Sequence, residues 1–433
     1  AAPRALADHT PMPRTRSAAW LAALPLAVSL ASGAACAQVR PAVSVSAVPS
    51  PRVFALRPEA LRQAKARIAS SDASVRPAYE KLLKDADKAM QAPIVAVTDK
   101  HTLLPPSGDR HDYYSLSPYW WPDPSKPDGL PYIRRDGETN PESKQDLDQP
   151  RVAAMGDNVS TLALAYYLSG NEAYAERAAR QVRAWFLDPA TRMNPHLRFA
   201  QAVRGNPAER GSGIVDTRWF IETADAIGLL EGSRAWTDAD QRGMHDWFAA
   251  YLKWLRDSPN GQHERAARNN HGSWYAAQTG ELALFTGDTA LARQIASGAR
   301  EQIGWQITAD GTQPIEMERT RSLHYSAFNV EALSRLAEMG RHVGVDLWHY
   351  QAPQGGSLAR AIGHLAPYVD ASLKWPGDQI TGVDPVETLL IHLRRGRTAI
   401  GDPSLGAYIA KLPSADVARD RSALLYPDPA AGR

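Results

Sequence analysis

The sequence predicts an all-α chain, with helix hairpins wound into an α/α toroid, or incomplete α/α barrel, whose long loops line a cleft. Three observations carry this expectation. Helical periodicity runs from about Val152 onward, strand signals are scarce, and one plan recurs along the chain. In "VSTLALAYYLSGNEAYAERAARQVRAWFL" apolar residues keep helical spacing on both sides of Gly170-Asn171, and "GSWYAAQTGELALFTGDTALARQIASGAREQIGW" repeats the arrangement around Gly287-Asp288. A glycine closes the first helix of each pair and Asn or Asp opens the second. Stacked pairs bury a continuous core that no single pair buries alone. An irregular all-helical domain is the plainer alternative on pattern alone.

From the amino terminus, Arg14 and Arg16 precede an apolar run from Ala18 to Leu30, and "SGAACAQ" follows with a small-residue cleavage site after Ala37. This reads as a secretory signal. Met12 reads as a start, and residues 1 to 11 are set aside from fold reasoning. Residues 1–37 are therefore separated from residues 38–433, which read as one toroid domain, exported to the periplasm or secreted. The apolar run is too short for a stable membrane span, and no later segment approaches the length one needs. Cys36, the one cysteine of the chain, is alternatively a lipidation site, although Gly33 stands where such a signal usually carries a branched apolar residue. Cleavage after Ala37 removes it, and with it disulfides, thiolate nucleophiles and cysteine metal sites.

At 433 residues and 44% hydrophobic the chain can bury a sizeable core. The formal net charge of +2 falls to about zero once Arg4, Arg14, Arg16 and Asp8 leave with the signal. Strong nonspecific nucleic-acid binding is not expected of such a chain, so an anionic ligand has to be held by a local basic cluster. No nucleic-acid partner and no membrane span are expected, and the protein is expected to act as a monomer.

Further helices are expected over residues 216–230, 238–255, 323–343 and 356–373. In "RAWTDADQRGMHDWFAAYLKWL" the start is marked by Thr237 ahead of Asp238 and Asp240. Between the helices lie four long polar or glycine-rich segments, at 101–150, 204–215, 258–272 and 308–322. Long loops within a compact domain are usually functional, and these four gather most of the histidines, arginines, asparagines and aromatics that chemistry needs. In "RAARNNHGSWYAAQ" Asn269, Asn270 and His271 stand where a helix begins, with Trp274 in its first turns; the plain reading is that Asn270 caps the helix. In "PIEMERTRSLHYSAFN" Glu316, Glu318, Arg319, Arg321, His324 and Tyr325 fall within ten residues, and the plain reading is a solvated, charge-paired lead into a helix. The histidines show no HExxH or comparable ligand spacing, so no metal and no other cofactor is expected.

The Asn-Asn-His stretch, the Arg…Leu-His-Tyr stretch and the "SPYWWPDP" loop, in this order in a helical chain with an export signal, resemble the alginate lyase family of polysaccharide lyases. The resemblance covers roughly residues 100 to 345, and it extends to the broader superfamily with mannuronan and glucuronan lyases. It implies an α/α toroid with a deep cleft, an acidic polysaccharide substrate, and a catalytic set of Asn, His, Arg and Tyr. Asn270, His271 and Tyr325 match that set directly. The arginine falls to Arg319, with Arg321 as the other candidate, because the position seven residues before Tyr325 holds Glu318. Gly-Ser-Trp-Tyr follows the histidine where alginate lyases tend to show Ser-Tyr-Trp, which leaves the uronate open.

The chemistry agrees with this set. β-Elimination across a 1,4-linked uronate removes the C5 proton, which is very weakly acidic while the adjacent carboxylate is charged. Asn270, His271 and Arg319 offer donors for the growing carboxylate charge. Tyr325, its pKa lowered by nearby positive charge, is the expected base and then the acid on the leaving O4, provided both lie on one face, as in β-D-mannuronate and β-D-glucuronate. A guluronate linkage needs a group on the opposite face, for which His271 is available. Tyr114, Tyr119, Trp120 and Trp121 offer apolar faces to sugar rings as a lid or wall, although a proline-rich loop also packs its aromatics for stability. Arg134, Arg218, Trp274, Arg321 and His324 are the further substrate contacts expected, with Arg218 alternatively paired to Asp216 or Glu222. A glycoside hydrolase built on two of Asp216, Glu222, Glu316 and Glu318, and a noncatalytic polysaccharide-binding protein, are the competing functions.

Overall fold

In the computed structural model, residues 50–427 are described, and the secretory-signal reading of residues 1–37 lies outside them. Two hairpins open the chain's helical order: α1 (Pro58–Ala69) with α2 (Arg76–Gln91), then α3 (Asp148–Ser169) with α4 (Glu172–Val182). There follow α5 (Trp219–Leu230), α6 (Asp238–Asp257), α7 (Pro259–Arg265), α8 (Asn270–Phe285) and α9 (Thr289–Gln306). The series ends with α10 (Pro314–Met317), α11 (Ser322–His342), α12 (Leu358–Leu365), α13 (Pro385–Arg395), α14 (Leu405–Ile409), α15 (Ser414–Arg419) and α16 (Ser422–Leu425).

The packing is that of a helical toroid. Inner helices α3, α5, α8, α11 and α13 each touch the next, while α4, α9 and α12 back the inner helices beside them from outside and α6 packs behind α8. The terminal helices α1, α2 and α16 lie between α13 and α3 and complete the ring. Burial follows this layering: every residue of α8 except His271 is buried, whereas α6 and α9 bury one stripe each. Both predicted hairpin turns form as expected. Gly170 and Gly287 take φ of 75° and 83°, Asn171 caps α4 through Ala173 N–H at 3.1 Å, and Asp288 caps α9 through Leu291 N–H at 2.9 Å. No described helix is long and apolar enough to cross a membrane.

Three expectations need adjustment. The helix expected from residue 216 begins as a 3₁₀ segment, Gly211–Arg218, and becomes α only at Trp219, which swings Asp216 and Arg218 onto a cleft wall. The segment 258–272 is not all loop, because Ser258 accepts from Gly261 N–H at 3.0 Å and Pro259 occupies the first turn of α7. The helix expected over 356–373 is α only in α12 and 3₁₀ over Ala366–Val369. Strands are few: β1 (Tyr114–Leu116) pairs in parallel with β4 (Phe199–Ala202), and β2 (Trp120–Trp121) pairs antiparallel with β3 (Ile133–Arg134). The second pair stiffens the aromatic loop and sets Trp120 across from Arg134.

Candidate active site

A cleft of about 810 Å³ opens between the loop carrying β2 and β3, the 3₁₀ segment before α5, the start of α8 and the start of α11. It gathers Asn270, His271, Arg319 and Tyr325 with Tyr119, Trp120, Arg134, Arg218, Arg321 and His324. Three expected contacts fall elsewhere. Trp274 is 2% exposed, packed against Phe328 with ring centroids 4.9 Å apart, and supports the cleft from behind. Tyr114 is held in β1, its N–H on the Asp148 carboxylate at 2.8 Å. Trp121 turns away from the cleft, with its Nε1 on the Glu138 carbonyl at 2.9 Å and Arg135 over its ring.

The start of α8 settles the capping question. Asn269, not Asn270, is the cap, accepting from His271 N–H at 3.1 Å. Asn270 is thereby released to point its side chain at a partner, and it finds Glu316 of α10. Its backbone N–H donates to Glu316 Oε1 at 2.6 Å, and its amide nitrogen sits 3.1 and 2.9 Å from the two carboxylate oxygens. An amide already engaged this way has at most one N–H left for a ligand. Burial pushes the Glu316 carboxyl up, against the pull of the Asn270 bonds and of Arg319 and His271.

His271 is fixed by Glu264, 1% exposed on α7, whose Oε1 lies 2.6 Å from Nδ1. Gly272 makes the approach of the preceding loop possible, since a Cβ there would stand 2.0 Å from the Ala267 carbonyl oxygen. Burial alone would lower the imidazole pKa, but the Glu264 charge and hydrogen bond, with Glu316 behind, outweigh it and hold it above the ordinary value. A carboxylate on Nδ1 also fixes the tautomer and leaves Nε2 as the working nitrogen.

The opposite wall belongs to α11. Tyr325 lies in its first turn, and the Arg319 guanidinium stacks over the phenol ring 3.6 Å from its centroid. The Tyr325 hydroxyl is 2.6 Å from the hydroxyl of Tyr119. Here the structure departs from the sequence expectation: burial, with Tyr119 beside it, pushes the phenol up, and the Arg319 charge only partly offsets this. Arg319 itself is clasped by Asp136, with Nε at 3.2 and 3.0 Å from the two oxygens and Nη2 at 2.7 Å from Oδ1. Thr320 reinforces the clasp, its hydroxyl donating to the Asp136 carbonyl at 2.7 Å. Gly137, at φ 75°, leaves room for that hydroxyl, which a Cβ would meet at 2.4 Å.

His324 lies between Tyr325 and Phe328, edge-on to the first at 5.6 Å and stacked on the second at 6.1 Å. Burial, then the charges of Arg321, Arg218 and Arg319, push its pKa down to about 4, so the ring is neutral at pH 7. Trp120 carries Arg210 over its ring at 5.1 Å, a cleft cation that sequence reasoning missed. Asp136, Glu264, Lys144 and Arg210 were not legible as site residues: Asp136 and Arg210 meet partners far along the chain, and Glu264 meets His271 only through the turn between α7 and α8. Glu316 stood inside a recognised cluster, but nothing local tied it to Asn270.

Comparison with known proteins agrees with this geometry. The chain matches a crystal structure of an alginate lyase from Bacteroides ovatus with a TM-score of 0.81 and 38% identity, covering 87% of this chain and 99% of that one. Alginate lyase A1-III from Sphingomonas species A1 shares the fold at 17% identity and a TM-score of 0.55, over 88% of this chain and 99% of its own. No curated protein matches. The alginate lyase family profile matches residues 96–375, so this chain, with its helical toroid and its Asn-His and Arg-Tyr walls, belongs to the alginate lyase family and is a polysaccharide lyase.

Proposed function

We propose that the enzyme cleaves mannuronate-rich alginate by syn β-elimination, outside the cytoplasm, with Arg319 and His271 neutralising the substrate carboxylate and Tyr325 moving the proton. The observation that carries this is the Tyr325 phenol lying directly under the Arg319 guanidinium, across the cleft from a carboxylate-backed His271. The raised pKa of His271 favours the imidazolium, whose Nε2–H donates to the carboxylate as C5 loses its proton. Asn270, anchored on Glu316, flanks the same carboxylate. The C5 proton passes to the Tyr325 oxygen, the C5 electron pair forms the C4–C5 double bond, the C4–O4 bond breaks, and the proton is returned to O4 from the same side. A phenol of high pKa is a strong base once ionised, and Arg319 is the charge that favours its ionisation.

Glucuronan is the second substrate this arrangement accepts, since glucuronate differs from mannuronate at C2, away from the reacting atoms. Hydrolysis is disfavoured because three of the four candidate carboxylates, Glu316, Asp216 and Glu222, are each bonded to protein groups, which leaves Glu318 on the cleft lining without a second carboxylate to work with. The test is the ultraviolet absorbance of purified protein incubated separately with polymannuronate, polyguluronate, glucuronan and hyaluronan. Growth of the unsaturated-uronide band fastest on polymannuronate supports the proposal. Reducing ends without the band would mean hydrolysis, and a flat trace on all four would leave a binding protein.

A further inference from the structure

Glu316, 2% exposed on α10, stands behind Asn270. All its side-chain bonds come from that one residue: the Asn270 backbone N–H reaches Oε1 at 2.6 Å, and the amide nitrogen lies 3.1 and 2.9 Å from Oε1 and Oε2. Among the described residues no lysine, arginine or histidine nitrogen lies within ion-pair distance of it, in contrast to Glu264, which meets His271, and Asp136, which is clasped by Arg319. Burial opposes its ionised form and prevails, while the charges of Arg319 and His271 favour that form from farther off. The other side of the same amide borders the cleft. Asn270 lines it, and its Oδ1 accepts from no described group yet is not enclosed. An amide held by its nitrogen therefore turns its oxygen, with at most one N–H, toward the substrate.

A uronate carboxylate entering beside Asn270 and His271 puts a second anion on the other side of this one side chain. The oxygen that Asn270 shows to the cleft repels it, and two carboxylates separated by a single amide raise each other's pKa. A proton on Glu316 removes both penalties. The Glu316 hydroxyl then donates to Asn270 Oδ1, the amide turns over so that its nitrogen faces the substrate, and the Asn270 backbone N–H keeps the other Glu316 oxygen. We infer that Glu316 is a positioning residue that takes up a proton as the substrate carboxylate arrives, and so converts Asn270 from an acceptor into a donor for that carboxylate. The proton comes from solvent, stays on Glu316 through the elimination and leaves with the product; it is not the C5 proton, which Tyr325 carries. The inference rests on the lyase reading of this cleft. It makes binding of the uronate draw in a proton, which the charge of Arg319 alone does not require.

The test uses a saturated mannuronate tetrasaccharide and the Tyr325→Phe variant, which should bind it without turnover. Infrared difference spectra with isotope-labelled sugar carboxylates should show a protonated protein carboxyl appearing on binding, and calorimetry in buffers of different ionisation enthalpy should show proton uptake. Adding Glu316→Gln should remove the band and lower the uptake. In the otherwise intact enzyme Glu316→Ala should lower kcat/KM about 10- to 100-fold, because the amide loses its orientation. Glu316→Gln should recover most of that loss, since its Nε2 meets Asn270 Oδ1 and holds the donor orientation without a proton. Its KM should also rise less steeply with pH than that of the unmodified enzyme. No protonated carboxyl on binding, or a band and uptake that survive Glu316→Gln, would overturn the assignment, as would a glutamine variant as impaired as the alanine one. Elimination without the band sinks this inference alone, whereas the band without elimination by the intact enzyme sinks the lyase proposal alone.

Discussion

The clasp between Asp136 and Arg319 makes the sharpest mutational prediction. Asp136 belongs to the aromatic loop and Arg319 to the segment before α11, so one ion pair both closes the loop onto the cleft and aims the guanidinium over Tyr325. Their side chains are 19% and 14% exposed, which places the pair nearer the buried limit than the surface one. Replacing Asp136 by Ala removes three nitrogen–oxygen contacts to Arg319 and the Thr320 N–H bond at 3.2 Å. Arg319 then keeps only its stack on the phenol, and a misplacement on the order of 1 Å at a reacting group costs about 100-fold in rate. The expected loss is therefore about 10- to 100-fold in kcat, roughly 1.4 to 2.7 kcal/mol of transition-state stabilisation, with KM for polymannuronate changed less. Steady-state absorbance assays on Asp136→Ala and Asp136→Asn, with melting temperatures alongside, measure this. A variant that melts earlier but turns over within twofold of the unmodified enzyme would show that the clasp is structural and that Arg319 needs no orienting partner. The pair also has a pH signature. Burial opposes ionisation of Asp136, but Arg319, the Thr320 N–H and Arg134 together hold its carboxyl well below the usual range. Its contribution to stability is thus complete above about pH 4 and is lost as pH falls toward the folded value, so Asp136→Asn should flatten the acid side of the stability curve.

Glu264→Gln removes the charge that holds the His271 pKa up while keeping a hydrogen-bonding group, so the imidazolium should titrate away at lower pH and the alkaline limb of kcat/KM should move acidward; an unmoved limb would detach Glu264 from catalysis. Tyr325→Phe and His271→Ala should each abolish nearly all turnover with helicity intact by circular dichroism, and either variant turning over at near-normal rates would remove that residue from the mechanism. Arg319→Ala should cost more than Arg321→Ala, because Arg319 alone stacks on the phenol; the reverse ranking would transfer the role. Trp120→Ala should raise KM for long chains several-fold while Trp121→Ala leaves it alone, since only Trp120 faces the cleft. Equal effects would mean that the loop moves as a unit.

The helical architecture was legible because it is written in local signals: the Gly170-Asn171 and Gly287-Asp288 junctions close and reopen helices through bonds spanning a few residues. The same holds for the order of the proposed catalytic motifs, since Asn270-His271 and Tyr325 sit in the first turns of two inner helices. What sequence could not supply were the partners. Glu264 and His271 are seven residues apart, but only the turn between α7 and α8 brings them together. Asp136 reaches Arg319 across 183 residues. The expectation of a lowered Tyr325 pKa failed for a related reason, because it weighed the nearby arginine and not the burial that closing the toroid imposes on the phenol. Trp274 misled in the opposite way: it stands near the proposed catalytic histidine in sequence, but on α8 it faces the core and packs against Phe328.

The arginines of the toroid fall into two kinds, and the division separates stability from function. Arg335 binds Glu222 at 2.6 Å and Glu331 at 2.7 Å, and Arg395 binds Glu331 on the same inner wall. Arg57 ties the start of α1 to Glu338 of α11 at 2.6 Å. Deep in the same wall the Glu281 carboxyl is driven up by burial and by the neighbouring Asp225 charge, while Asp225 accepts from the N–H groups of Phe54 and Leu56 at 2.5 and 2.7 Å. There Arg57, Arg335 and Arg395 each have a protein carboxylate as partner, as a stable interior requires of a buried charge. Across the cleft floor that pairing stops: among the described residues no carboxylate lies within ion-pair distance of Arg218, whose side chain makes a long bond to the Val215 carbonyl. Arg335 and Arg395 each have a protein carboxylate while Arg218 has none among the described residues, and carboxylates are what the proposed uronate substrate would bring to it.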